Sequence, residues 1–384
     1  MLNFSYYCPV NIVFGKGSIS ELTGLIATDE KVLITYGGGS IMKNGVFDQV
    51  SEALKGHEVL SFGGIEPNPD YSTLIKAVEI ARNEEVGFLL SVGGGSVLDG
   101  TKFIAAAIPF EAGKEWDILE KKAPLESAVP LGAVLTLPAT GSEMNTNSVV
   151  SRRETGQKLV FSNALVYPRF SILDPETTYS LPERQTANGI VDSWVHVLEQ
   201  YLTYPVNSPL QDRQAEAIML TLLEEAPKVL KKPKDYDARA NVMWCATHAL
   251  NGIIGRGVPG DWATHIIGHE LTALYGIDHA RTLAVVLPAM MKYRREQKKE
   301  KLLQYAERIW GITDGDDLER IDRAIEHTCI FFESLGVPTS FSSYGTGGRG
   351  LDTVVKNIGS RGMKISERSD MGEQEIGEVL NTMS

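Results

Sequence analysis

The chain has 384 residues, 43% hydrophobic and 22% charged, which allows two domains and matches the composition of an ordinary soluble globular protein. Its net charge of -12 excludes general nucleic-acid binding and docking on anionic membranes, and no stretch approaches the ~20 apolar residues that span a bilayer. Met1 to Cys8 lacks the basic region and long apolar run of a signal peptide, and Cys8, Cys245 and Cys329 form no spaced motif, so a reducing, cytoplasmic location is expected.

Residues 31–36 form a short apolar run ending in Gly37, Gly38, Gly39 and Ser40, and a helix is expected near 47–54. Residues 57–62 read as the next strand, and 71–83 carry helical periodicity. A buried-type strand over 86–92 ends in a second such turn, Gly93 to Ser96. Further strands are predicted over 131–137 and 170–174, with a hairpin over 148–162. Strands alternating with helices predict a parallel sheet covered on both faces, with ligands at the carboxyl ends of its strands, where both glycine turns fall. After Pro182 the spacing becomes helical, over 183–203, 208–232, 237–255, 261–276, 280–297, 299–310 and 317–335. The lysine run near 298–301 reads as a solvated helix start. The prediction is an α/β, Rossmann-like domain over 1–182 and an all-α domain over 183–384.

Glycines between a strand and a helix let the backbone approach a pyrophosphate, while the helix N-terminus offers unpaired N–H groups. The turn at Gly93 is not the G-x-G-x-x-G fingerprint, because Leu98 stands at the third glycine position. One such turn is weak evidence; two after buried-type strands are stronger. The first turn offers no carboxylate for ribose hydroxyls and has Lys43 close by, which leaves room for a 2′-phosphate. NADP(H) is therefore expected over NAD(H).

Three of the seven histidines, His265, His269 and His279, fall within fifteen residues. His265 and His269 share a helix face, as do Asp192 and His196. One such pair alone is usually a surface or satisfied core feature. Together, Asp192, His196, His265 and His279 could supply one carboxylate and three imidazoles, a set that suits iron(II) or zinc. The zinc-protease pattern H-E-x-x-H fails, because Ala273 occupies its fifth position.

These segments, with Phe14 to Gly17, Gly63 to Pro69, Gly93 to Lys102, Thr136 to Glu143 and Ala187 to Asp192, resemble the iron-containing alcohol dehydrogenase family. The resemblance is strongest to its NADPH-dependent aldehyde reductase and butanol dehydrogenase branch. It covers essentially the whole chain, and His265-x3-His269-x9-His279 fits the family's metal spacing. It implies a dinucleotide-binding N-terminal domain, a helical metal domain and a homodimer, with Phe4 to Phe14 pairing across chains. It implies Asp192, His196, His265 and His279 as ligands of one divalent metal, Fe2+ or Zn2+, with His269 a pocket residue. NADP(H) contacts would come from Gly37, Gly38, Gly39, Ser40 and Asn68 at the adenosine end. Gly94, Gly95 and Ser96 would hold the pyrophosphate, and Asp99, Thr136, Thr140, Asn147, Lys158 and Tyr179 would line the rest. Thr272 and Ala280 replace the broader family's glycines, as in the aldehyde reductase branch.

The activity implied is reduction of small aldehydes to primary alcohols, and the reverse, with the metal polarising the carbonyl and NADPH giving hydride. His269 is the candidate proton relay, with a passive packing role weighed equally. Trp262, Leu274 and Tyr275 are candidates for an apolar substrate pocket. The alternatives are a glycerol-type polyol dehydrogenase and a dehydroquinate synthase-like lyase. A metal hydrolase would leave both glycine turns unexplained.

Overall fold

The computed structural model describes every residue except Gly347, Arg349 and Ser384. The alternating runs of the first half fold into a six-stranded parallel sheet. Its strands are β1 (Asn11–Phe14), β2 (Val32–Tyr36), β3 (Val59–Phe62), β4 (Phe88–Gly94), β5 (Leu131–Leu137) and β8 (Phe170–Leu173), in the order β1-β8-β5-β4-β2-β3. A separate antiparallel pair, β6 (Asn147–Arg152) and β7 (Gln157–Ser162), forms the predicted hairpin.

Side chains alternate across a strand, so each central strand feeds two cores. Leu33, Leu89, Leu131 and Ala133 pack with the Tyr71–Asn83 and Gly95–Ala107 helices on one face. Val32, Ile34, Phe88, Leu90, Val92 and Ile172 face the Val46–Ala53 helix on the other. Burial on both sides explains the nearly unbroken apolar runs. Each fully buried aliphatic side chain contributes about 1.5–3 kcal/mol. Gly132 is required here, since a Cβ would lie 2.4 Å from the Phe170 ring, which stacks on Phe88.

Two compact units result, and neither is one continuous stretch. Tyr7–Leu181 and Pro233–Thr247 form the sheet unit, while Met1–Tyr6, Pro182–Lys232 and His248–Ser384 form the helical unit. The Tyr236–Ala249 helix joins the sheet through Met243, which packs on Leu135 and Leu173. That contact is tertiary and has no local sequence signature.

The structure corrects several expectations. Of the strand-prone start only Asn11–Phe14 is a strand, at the edge of the sheet and parallel to β8. The helix expected over 237–255 stops at Ala249, and Gly252 follows in a left-handed conformation (φ 86). The helix expected to reach 297 ends at Tyr293. Helices Leu351–Ser360 and Glu373–Asn381 were not predicted. Lys298 and Lys301 are buried rather than solvated, paired with Asp261 and Glu367 and with Asp212 respectively. No helix among the described residues is long and apolar enough to cross a membrane.

Candidate metal centre and cofactor turns

The Glu183–Tyr201 helix is buried on all sides from Thr186 to Tyr201, yet that stretch carries Asn188, Asp192, His196, Glu199 and Gln200, an unusual density of polar side chains for a helix interior to a core. Asp192, His196 and Glu199 recur at i, i+4 and i+7 on one face. His265 comes from the Ala263–Tyr275 helix, and His279 opens the helix His279–Tyr293. Asp192 Oδ1 lies 3.7 Å from Nε2 of His265, 3.7 Å from that of His196 and 4.0 Å from that of His279. One donor each of Asp192, His265 and His279 falls within 4.8 Å of the others. His196 stacks on His265 with ring centroids 4.5 Å apart, but stands outside that tightest group.

A tetrahedral ion with bonds near 2.1 Å needs donor separations of about 3.4 Å, so Asp192 Oδ1, at 3.7–4.0 Å from the three imidazole nitrogens, has only a few tenths of an ångström to close on each. Asp192 Oδ1 and His265 Nε2 are buried and find no hydrogen bond among the described residues. Both are donors to a divalent cation, so the residues fit one. Burial works against a charged His265, but the neighbouring Glu199 and Asp192 carboxylates override it and raise the imidazole to about 9. The field at this site favours a cation.

Sequence reasoning missed Glu199. It accepts from the backbone N–H of His265 at 3.2 Å and from its Nδ1, turning Nε2 towards Asp192. The i, i+4, i+7 spacing was the available signal. Asp278 also acts, accepting at Oδ2 from Arg184 and Asn188 at 2.7 and 2.8 Å and so fixing the chain immediately before His279. Gly268 lets the two histidine helices close, since a Cβ there would lie 2.7 Å from Leu283 Cδ2, and Thr272 meets Thr282 across the gap at 3.1 Å.

His279 is the more open of the triad, its side chain 22% exposed against 10% for His265 and 6% for Asp192. The His269 ring lies 4.6 Å from that of His279. The Trp262 ring stands edge-on to that of His265, with centroids 5.8 Å apart. Tyr275 packs on Phe341, and Leu274 is exposed.

In the sheet unit, Ser96 is the second residue of the helix after β4, and its Oγ accepts from the backbone N–H of Asn68 at 3.3 Å. Asn68 has a left-handed φ of 57, and its Oδ1 accepts from Lys158 Nζ at 2.9 Å. Residues read separately as cofactor contacts thus meet from the turn after β3, the end of β4 and from β7. A Cβ on Gly95 would lie 2.4 Å from Thr140 Oγ1, and one on Gly94 2.9 Å from Leu137 Cβ. Gly39 takes φ 85 just before the helical turn at Ser40. Lys43 is exposed, and Thr136 is buried at the end of β5.

Asp99 turns inward. Its oxygens accept from Ser142 Oγ at 2.6 Å and Val149 N at 3.0 Å, so it anchors the 142–149 segment. Lys102, fully buried, reinforces that segment by donating to the carbonyls of Ser142, Asn145 and Asn147. Burial lowers its ammonium to about 8. Tyr179 lines a cavity of about 310 Å³ with Asn44, Gln49, Thr177, Ser180 and Lys234, a few residues past the Ser40 turn.

A parallel sheet with glycine turns at its strand ends, together with an aspartate–histidine cage in a helical unit, is the equipment of a nucleotide- and metal-dependent oxidoreductase. The model of iron-containing alcohol dehydrogenases matches residues 9–175, that of the family's C-terminal part matches 186–383, and the chain belongs to this family. It is 57% identical to the NADPH-dependent aldehyde reductase YqhD of Escherichia coli (strain K12) over 97% of each chain. It is 36% identical to NADH-dependent butanol dehydrogenase A of Clostridium acetobutylicum over 99% of each. The crystal structure of Escherichia coli K-12 YqhD superposes with a TM-score of 0.98 at 55% identity, covering 100% of this chain and 99% of that one. NADH-dependent butanol dehydrogenase A of Thermotoga maritima gives a TM-score of 0.96 at 38% identity, with coverage of 100% and 99%.

Proposed function

We propose that the chain is a metal-dependent aldehyde reductase, converting small aldehydes to primary alcohols and the reverse with NADPH as hydride donor. The observation that carries this is the pair of buried, unbonded donors Asp192 Oδ1 and His265 Nε2, in a chain of this family. Similarity to an NADPH-dependent aldehyde reductase at 57% identity supports the substrate class and the cofactor.

The metal reading is one divalent ion, iron(II) or zinc, held by Asp192, His265 and His279, with His196 beside Asp192 as the fourth candidate. When bound, the ion supplies Lewis-acid polarisation of the substrate carbonyl, and NADPH supplies the hydride. The chain's residues do the rest. Asp192 and Glu199 balance the cation's charge in a buried setting. His269, next to the more open His279, holds and passes the proton that the product oxygen needs. Trp262 shields the centre from water.

On the cofactor side, the turns at Gly37–Ser40 and Gly94–Ser96 approach phosphates, and Asn68 and Lys158 orient the ribose side of the cofactor. Thr136, Thr140, Asn147 and Tyr179 line its path. Asp99 contributes by holding the loop. NADP(H) over NAD(H) rests on the carboxylate-free first turn and Lys43. Cofactor binding is assigned to 1–182 and the metal to 183–384. The cytoplasmic location and the homodimer belong to the same reading and rest on the free cysteines and the family resemblance. The polyol dehydrogenase and lyase alternatives are not favoured, because relatives at 57% and 36% identity are an aldehyde reductase and a butanol dehydrogenase.

The test is butanal-dependent loss of absorbance at the reduced-nicotinamide band with NADPH and with NADH. NADPH turnover well above NADH turnover is expected. Preference for NADH would overturn the cofactor assignment, and no turnover with any short-chain aldehyde would overturn the substrate class.

A further inference from the structure

We propose that Glu199 is a positioning residue which sets both the tautomer of His265 and the affinity of the metal site; this rests on the metal reading above. The geometry gives one carboxylate two tasks. The Ala263–Tyr275 helix begins at Trp262, which offers no side-chain cap. Its orphan N–H groups are satisfied from outside, Ala263 by Asp261 Oδ1 at 3.1 Å and His265 by Glu199 Oε1 at 3.2 Å. A carboxylate there also meets the positive end of the helix dipole. The other oxygen, Oε2, bonds His265 Nδ1.

That second bond has a chemical consequence. An imidazole that presents a lone pair at Nε2 must carry its proton on Nδ1, and Glu199 Oε2 is the acceptor for it. Glu199 lies on the same helix face as Asp192 and His196, so one helix supplies both the ligands and the group that aims a ligand from the next helix. Glu199 is buried, 4% exposed, as is Asp192. Two buried carboxylates match the charge of one divalent cation, and neutralising one leaves the cation under-compensated.

Glu199→Gln separates the tasks. The glutamine oxygen can keep accepting the His265 backbone N–H, which preserves the cap, but its amide then sets a donor against Nδ1–H. A merely structural role predicts an altered melt and unaltered metal affinity. A positioning role predicts the reverse.

The experiment strips the full-length protein with chelator and measures zinc(II) affinity by chelator competition for wild type, Glu199→Gln, Glu199→Asp and Asp192→Asn. Circular dichroism melts follow the metal-free forms. Glu199→Gln should bind one zinc about 10–100-fold more weakly with a near-normal metal-free melt, and Glu199→Asp should fall between it and wild type. Affinity of Glu199→Gln within about twofold of wild type overturns the proposal. Should that variant not fold, Glu199→Asp decides, and unchanged affinity there overturns it equally. If wild type binds no zinc, or Asp192→Asn binds it as well as wild type, the metal reading itself falls, a different result from failure of the Glu199 role.

Discussion

Asp192 Oδ1 and His265 Nε2 face each other at 3.7 Å from two different helices, too far apart to bond, and neither finds another hydrogen bond among the described residues. Burying such a group unsatisfied costs about 1–3 kcal/mol. A divalent ion joining them should remove that cost. Zinc(II) at about 100 times its dissociation constant should stabilise the chain by roughly 2.7 kcal/mol, read as a raised midpoint in calorimetry. Asp192→Asn should abolish the shift.

His269 lies beside His279 rather than in the triad, so its loss should spare the metal and impair proton delivery. His269→Ala is expected to keep one metal per chain while turnover falls about 100-fold and its pH dependence flattens. Full turnover with an unchanged pH profile would remove the relay.

Gly95 sits where a Cβ would lie 2.4 Å from Thr140 Oγ1. Gly95→Ala must displace Thr140, at a cost of about 1–3 kcal/mol, and should raise the Michaelis constant for NADPH. Gly24, where a Cβ would meet open space, is the control. Gly24→Ala should leave the cofactor constant unchanged.

Glu367 is buried near Asp261 and Lys298. Burial and the bond to Asp261 raise its carboxyl to about 7, against the pull of Lys298. Between its ordinary value of 4.5 and about 7, the folded state keeps a proton that the unfolded chain has released. Stability should therefore fall as pH rises through that window, with the full penalty above it. Glu367→Gln should stabilise the protein at pH 8 by about 1–3 kcal/mol and leave it unchanged near pH 4. Equal effects at both pH values in denaturant titrations would contradict this.

Much of the fold was legible because its signals are local. Apolar runs ending in glycine marked β2 and β4, and helical spacing marked the segments after Pro182. What escaped was tertiary. Nothing local tells that the Tyr236–Ala249 helix seats Met243 against Leu135 and Leu173, or that Lys298 is buried between Asp261 and Glu367. The C-terminal helices lie beyond the glycine-rich stretch after Tyr344, which interrupts any periodic signal. At the site, the candidate ligands followed from residue type and spacing. Asp99 was named a cofactor contact on the family resemblance alone, and no local pattern shows that its oxygens also accept from Ser142 and Val149. Glu199 was passed over because a glutamate on a helix is ordinarily a solvated one.

The most direct test of the central claim follows NADPH oxidation by butanal with the protein as purified, stripped by chelator, and reloaded with zinc or iron(II). Activity that disappears on stripping and returns on reloading is the predicted result. Robust turnover by the stripped protein would mean that the aspartate–histidine cage is structural and that carbonyl polarisation does not depend on it.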